Sequence, residues 1–251
     1  RDRLFSDRVY GITGLWSRPF NKFSRIDLNA THLSIDRVYY DPNPQGIFED
    51  HSIKVLLASL SWVQDNVLWG ITGPVNGRRS IFAFEWSPDL TDRSVPFTSL
   101  WMDYRRYMHF GKNRFGFAFR LTAGRSDGKQ PRHFYLGGVS SWISPDLATQ
   151  NIYTLNDLYF SSLVTPLRGY EYFEFKGTRY FLSNFEFRYP FIQNLTFGFP
   201  PFSLRYITGA MFLDLGSAWT NTKAWQGGTS EGGSSRLKAI KAGFGFGARI
   251  N

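Results

Sequence analysis

Three segments decide the fold of this chain: LRGY at residues 167–170, TRYFLSNFEFRYP at residues 178–190 and FLDLG at residues 212–216. The first has one cation beside a glycine, which is typical of a loop tip. The other two alternate apolar and polar residues with a period of two, which predicts strands with two different faces. Each polar face carries an acid, Glu186 in one strand and Asp214 in the other. The pattern predicts a membrane β-barrel with a loop held inside its lumen.

The composition of the 251 residues favours the same fold. Aromatic residues make up 18%, with 25 Phe, 13 Tyr and 8 Trp, and there are 24 Gly. Many strands joined by turns, with aromatic girdles at both membrane interfaces, need such a composition. No stretch reaches the roughly 18 apolar residues of a transmembrane helix. The mean hydropathy of −0.29 is that of a soluble protein, but a barrel strand turns every second residue to water and escapes that measure.

The alternation predicts nine antiparallel strands. In residues 240–250, Phe244 and Phe246 share the face predicted to meet lipid, whereas Gly243, Gly245 and Gly247 share the lumen face. We expect these glycines to make room for the loop packed against them. The predicted strands are 8–17, 23–37, 51–64, 77–88, 95–109, 113–124, 178–189, 203–219 and 237–251. The strand at 23–37 is irregular, since Leu33 and Ile35 fall on its polar face.

A soluble β-sandwich also alternates and is the alternative fold. Continuous aromatic faces, lumen glycines and strands beyond ten residues favour the barrel. Nine strands with two open edges cannot seal in lipid, because unpaired backbone groups there are costly. We therefore expect residues 1–251 to be part of one outer-membrane barrel domain, with the missing strands lying outside this segment or supplied by another chain.

The connections are of two kinds. Residues 18–22 and 111–113 are predicted to be short turns, whereas residues 125–177 form a long loop that carries LRGY. Short turns on one side and long loops on the other are typical of outer-membrane barrels.

The candidate site lies where the loop meets the two acidic strands. Phe181 and Phe185 on one strand, and Met211 and Leu213 on the other, are predicted to face lipid, so the acids point inward. Neighbouring carboxylates repel each other unless a cation intervenes, and a guanidinium offers five donors in a fixed fork. Incidental pairing among many lumen charges is the alternative. The predicted lumen loop-tether comprises Arg168, Gly169, Tyr170, Glu186, Phe212 and Asp214.

These motifs resemble those of a known family. LRGY is similar to the loop-six motif of the Omp85 superfamily, the BamA-like or bacterial surface antigen barrels of the outer membrane. FYLGG at 134–138, NFEFRYP at 184–190, FLDLG at 212–216 and GFGFGAR at 243–249 resemble flanking segments of that family in the same order. The resemblance covers residues 134–251. It implies a sixteen-stranded barrel of which this chain supplies roughly strands six to fourteen, with Arg168 pairing with Glu186 and Asp214.

The chain departs from the family pattern at residues 139–166, which separate the Gly-Gly pair from LRGY. This insertion is compatible with a surface cap, a partner-binding element or a lumen plug. More loosely, the first half resembles Omp85-type barrels that follow a periplasmic β-propeller instead of POTRA domains.

The resemblance implies a protein that inserts or translocates other proteins at the bacterial outer membrane. A barrel anchor or scaffold of a larger membrane complex, and a passive pore or transporter, are the alternatives. The implied partners are outer-membrane lipid, client or partner membrane proteins, and the missing strands and periplasmic domain of the longer chain. No enzyme, cofactor, metal site or nucleic-acid partner is predicted: the net charge of +9 is scattered, the chain has no cysteine, and the histidines show no metal spacing. The phospholipase alternative lacks a nucleophile motif.

Overall fold

The computed structural model describes residues 5–39, 51–70, 73–110, 115–138, 159–220, 229–231, 234–236 and 239–249. Strands dominate these ranges, because most segments alternate apolar and polar residues. The long strands are β1 (Phe5–Asn21), β2 (Ser24–Tyr39), β3 (His51–Asp65), β5 (Gly73–Ser87), β6 (Phe97–Phe110), β7 (Phe115–Gly128), β11 (Arg179–Phe197), β12 (Phe202–Trp219) and β15 (Lys241–Arg249). The short strands are β4 (Leu68–Gly70), β8 (Phe134–Leu136), β9 (Ser162–Val164), β10 (Phe175–Gly177), β13 (Thr229–Glu231) and β14 (Ser234–Arg236).

The nine long strands form one antiparallel sheet in the order β1-β2-β3-β5-β6-β7-β11-β12-β15, and β4 pairs with β5. Each long strand lies beside the next long strand of the sequence. Within the described residues, β1 and β15 pair on one side only, so the sheet is open. The predicted all-β class and antiparallel order are confirmed. The alternative β-sandwich is wrong, because the other sheets of the described residues are three short strands and a two-stranded ribbon.

Strands β1 and β11 are longer than their sequence pattern predicts, because proline does not end a strand at an edge or a bulge. β1 continues to Asn21, so the predicted bounds of the turn at 18–22 are wrong and the turn consists of Lys22 and Phe23. β11 runs to Phe197 instead of ending at residue 189, with a register shift just after Pro190. β7 extends to Gly128 and β11 begins at Arg179, so the long connection comprises residues 129–178. The predicted turn at 111–113 lies outside the described residues.

The outward face of the sheet is apolar. Phe244 and Phe246 are 85% and 83% exposed, whereas Gly243, on the opposite face of the same strand, is buried. Such a band matches the lipid-facing surface of a membrane barrel. No helix among the described residues is long and apolar enough to cross a membrane. Other large exposed side chains of the band are Leu60, Trp62, Phe82, Phe84, Leu100, Met211 and Leu213.

Two clusters of buried apolar residues lie on the inner face, where the long connection packs against the sheet. Leu33 and Ile35 pack there against Phe160 of the connection, which explains why apolar residues interrupt the polar face of β2. A second cluster forms where β8, β9 and LRGY meet β11. The first cluster comprises Ile35, Val55, Val95, Phe97 and Phe160, and the second comprises Phe134, Leu136, Val164, Leu167, Tyr180 and Leu182.

Candidate functional site: a loop held against the inner face

The long connection contains a small sheet that aims LRGY at the wall. β9 pairs in parallel with β8, and β10 pairs with β8 on the other side. Just beyond them, the N–H of Leu167 donates to the carbonyl of Gly138 at 3.0 Å, and the N–H of Gly138 donates to the carbonyl of Tyr170 at 3.0 Å. The backbone of FYLGG therefore holds both ends of LRGY.

The insertion at 139–166 thus begins and ends beside one point of the fold, because Gly138 and Leu167 are bridged directly. Twenty-eight intervening residues leave the packing of LRGY against FYLGG intact. Residues 139–158 lie outside the described residues. The described remainder, residues 159–166, packs on the inner face.

Arg168 and Asp214 make the central contact of the site. The guanidinium donates from Nε to Oδ2 at 2.6 Å and from Nη2 to Oδ1 at 2.7 Å, and the backbone N–H of Arg168 adds a third bond to Oδ2 at 3.0 Å. The guanidinium carbon also lies 3.5 Å from the centre of the Phe212 ring. Asp214 has no exposed surface. A buried carboxylate is stable only when its charge and its acceptors are matched, and Arg168 provides most of that matching.

Asn184 completes the environment of Asp214. The two residues are directly opposite each other on β11 and β12, and the Asn184 amide donates to Oδ1 at 2.8 Å. The same amide nitrogen donates to the carbonyl of Pro166 at 2.8 Å. Asp214 therefore accepts four hydrogen bonds, the full capacity of a carboxylate. Asn184 is not among the predicted site residues, although its position on the same strand face as Glu186 is the sequence signal that indicates it.

Glu186 makes the weaker contact with Arg168. Its register partner is Phe212, so it lies diagonally from Asp214, and its oxygen is 3.5 Å from Nη1 of Arg168. Its short bond is to Arg188, at 2.7 Å, on its own strand. The sequence predicts a guanidinium shared between two acids, whereas the geometry is unequal, with Asp214 as the main partner of Arg168.

Gly169 and Tyr170 shape the tip. Gly169 has φ of +90°, a conformation that L side chains rarely adopt, while its side-chain direction is open. The tip therefore needs glycine for its backbone and not for space. The Tyr170 hydroxyl donates to the carbonyl of Ala242 at 3.1 Å, and its ring meets Phe175 edge-on at 5.2 Å. Tyr170 thereby joins LRGY to β15.

Two of the three glycines of β15 make room for the site. A side chain at Gly243 would overlap the carbonyl oxygen of Arg168, and one at Gly245 would lie 2.7 Å from the Phe212 ring. Gly247 has open space beside it. The expectation that these glycines make room for the loop thus holds for Gly243; Gly245 instead makes room for Phe212 of the wall, and the expectation is wrong for Gly247.

Other arginines of the inner face surround the tether, and one of them, Arg120, holds the segment that leads into LRGY. Arg120 on β7 donates to the carbonyl of Thr165 and pairs with Asp103 on β6 at 2.6 Å. Arg188 donates to the carbonyl of Pro74 at 2.8 Å and so connects wall to wall. Arg105, Arg120, Arg168 and Arg188 line one cavity of about 600 Å³ with Glu186. The face beside the tether is therefore strongly cationic.

The connection makes a second contact at the other end of the sheet. The Tyr159 hydroxyl donates to Asp7 at 3.0 Å, and Asp7 holds Arg37 by two bonds of 2.7 Å. Burial, together with the hydrogen bond to Asp7, raises the pKa of the Tyr159 hydroxyl, so this group remains a donor at neutral pH. Phe160 beside it is buried in the first apolar cluster. The sequence pattern does not distinguish these residues from others of the insertion.

Comparison with known proteins adds an independent finding. The family model described as the Omp85 superfamily domain matches residues 9–251 of this chain. A solved structure with a similar fold is BamA from Haemophilus ducreyi lacking POTRA domains 1–3, with a TM-score of 0.66 and 13% identity. The match covers 98% of this chain and 48% of that chain, so this chain spans about half the length of that structure. No curated protein matches the sequence.

Proposed function

We propose, since this chain belongs to the Omp85 superfamily, that it is part of a barrel that inserts or translocates other proteins at the bacterial outer membrane. The family supports this coarse assignment to protein insertion and translocation, and the fold resembles that of a BamA barrel. Client proteins, partner subunits and the location of this chain in the outer membrane are parts of the proposal.

The role we assign to the tether is mechanical. The observation that carries it is the match between Arg168 and Asp214, in which a fully buried carboxylate depends on a guanidinium from the connection. Breaking a buried pair by removing one partner costs about 3–5 kcal/mol, because the other charge stays buried. The connection therefore cannot leave the wall without a large penalty.

The second contact gives the tether its reach. Tyr159 and Phe160 contact strands β1, β2 and β3, whereas Arg168 and Tyr170 contact strands β12 and β15. The connection thus spans the inner face between strands that lie far apart in the sheet. We infer that it fixes the curvature of the barrel wall, and so the shape of the lumen in which an assembling or passing protein is handled.

The test is an Arg168→Ala substitution in the full-length protein, in cells that depend on it. We expect other outer-membrane proteins to become depleted while the variant itself is still present in the membrane. Arg188→Ala is the matched control, because Arg188 lines the same cavity but its bonds are to the wall. An intact set of outer-membrane proteins with loss of a co-purifying partner would indicate a scaffold. A change in ion conductance alone would indicate a passive pore.

A further inference from the structure

A groove of about 640 Å³ interrupts the apolar band on the outward face of the sheet. It lies at a row of residues that are paired across four strands. Phe82 pairs with Met102, Met102 pairs with Ala123, and Ala123 pairs with Phe181. Because Ala123 is the small member of this row, a gap opens between larger neighbours. Its volume is within the range of ordinary ligand pockets.

One end of the groove is cationic. Arg125 and Arg179 line it, and they are directly opposite each other on β7 and β11. Both share Asp127: Arg125 lies 2.6 Å from it and Arg179 lies 3.4 Å from it. Like charges directly opposite each other on a sheet are unfavourable. Two guanidiniums with one carboxylate keep a net positive charge, which a second anion would match.

This cationic end stands where the apolar band stops. On β7 the outward residues from Phe115 to Ala123 are apolar, and Arg125 is the next outward position. On β11 the outward apolar residues begin after Arg179, whose pairing partner on β12 is Trp219. A tryptophan beside arginines is typical of the level at which lipid head groups meet acyl chains. The groove therefore lies at the level of the acyl chains. Its two arginines lie where that level ends and the head groups begin.

We propose that this groove is a binding site for a lipid whose phosphate-containing head group carries a net negative charge. An acyl chain fills the gap over Ala123, and the phosphate accepts hydrogen bonds from Arg125 and Arg179. Arginine suits this role, because its planar fork matches phosphate oxygens. The side chain of Arg125 is 60% exposed, so the phosphate reaches it without displacing protein. The proposal requires the outward face to lie in a membrane, but it does not depend on the role assigned to Arg168.

The test uses the full-length protein in an uncharged detergent, with bound lipid counted by native mass spectrometry. The probes are dimyristoyl phosphatidic acid, dimyristoyl phosphatidylcholine with the same chains, and inorganic phosphate. We expect the anionic lipid to bind roughly tenfold more tightly than the zwitterionic one, the size of one charge-assisted hydrogen bond. R125Q/R179Q removes this preference. Ala123→Phe weakens binding of the lipid by filling the gap, with both guanidiniums still present.

R78Q/R106Q is the matched control. Arg78 and Arg106 are also opposite each other across two strands, on the outward face, and neither lines the groove. Every variant is first checked for a folded barrel by its mobility in an unheated detergent gel. Equal binding of the two lipids, or an equal loss in the control, overturns the proposal. It is also overturned if inorganic phosphate fully displaces the anionic lipid while the Ala123→Phe variant binds that lipid normally. That outcome would mean that the two arginines bind a free anion and that the gap over Ala123 holds no acyl chain.

Discussion

The carbonyl oxygen of Arg168 rests on Gly243, in the position that a side chain at residue 243 would occupy. Gly243 is opposite Asp214 in the pairing of β15 with β12. One glycine therefore lets the loop backbone approach the wall at the point where the loop side chain reaches its acid. The backbone of Arg168 contacts β15 and its side chain contacts β12. Together these two contacts determine how closely the loop tip approaches the wall.

The first prediction concerns this approach. Gly243→Ala should destabilise the folded barrel by about 1–3 kcal/mol, the usual cost of overpacking a buried site. Gly247→Ala on the same strand should change stability by less than about 0.5 kcal/mol, because nothing lies near its side-chain direction. Urea unfolding of the full-length protein in lipid vesicles measures both. Equal effects of the two variants would mean that the tip does not rest on β15.

The second prediction concerns the chemistry of the cation. Arg168→Ala should lower the free energy of unfolding by about 3–5 kcal/mol, because it leaves the buried Asp214 carboxylate without its cation. Arg168→Lys should recover only part of this loss, since an ammonium is a point charge and cannot make the two parallel bonds to Asp214. The same unfolding measurement distinguishes them. A lysine variant as stable as the native protein would show that charge alone, without the fork, holds the loop.

The third prediction ranks the two acids. Asp214 accepts four hydrogen bonds and is fully buried, whereas the short bond of Glu186 is to Arg188. We therefore expect Asp214→Asn to cost about 2–3 kcal/mol and Glu186→Gln about 1 kcal/mol. A double-mutant cycle with Arg168→Ala should give a larger coupling energy for Asp214 than for Glu186. The opposite ranking would refute the unequal geometry.

The fourth prediction tests the second contact of the connection. Phe160→Ala should cost about 3–5 kcal/mol, as for a buried phenylalanine in an apolar cluster. Leu163→Ala, three residues further along, should cost less than about 1 kcal/mol, because Leu163 is 44% exposed. Unfolding of both variants is followed by tryptophan fluorescence. If the two substitutions were equally mild, Phe160 would not anchor the connection to the wall.

The fifth prediction concerns pH. The pKa of the Tyr159 hydroxyl is raised, so its hydrogen bond to Asp7 contributes fully below the ordinary tyrosine pKa of about 10 and is lost as pH rises through the folded value. Tyr159→Phe should therefore cost about 1 kcal/mol between pH 7 and pH 9. The difference from the native protein should shrink only at higher pH. A difference that already vanished near neutral pH would exclude this hydrogen bond as its source.

The sequence predicted much of the fold because the signal for each long strand is local. The period of two in residues 178–190 predicts which side chains share a face, and this prediction needs no knowledge of the neighbouring strands. The nine predicted strands, the all-β class and the family are confirmed. Strand ends were less accurate, as at Asn21 and Phe197, because the neighbouring strand decides whether a proline ends the pairing.

The inward direction of Glu186 and Asp214 follows from the alternation of their strands, which assigns each acid to the face opposite the apolar side chains. The expectation that Arg168 reaches them comes from the resemblance of LRGY to the loop-six motif of the family. Only the tertiary structure decided that Asp214 is the main partner, that Asn184 fills its last acceptor, and that Gly243 receives the loop backbone. The reason is register: sliding one strand past its neighbour leaves the alternation of each sequence unchanged but changes every partner across the sheet. The return of the chain from the insertion to Gly138 depends likewise on a backbone bridge that no side-chain pattern records.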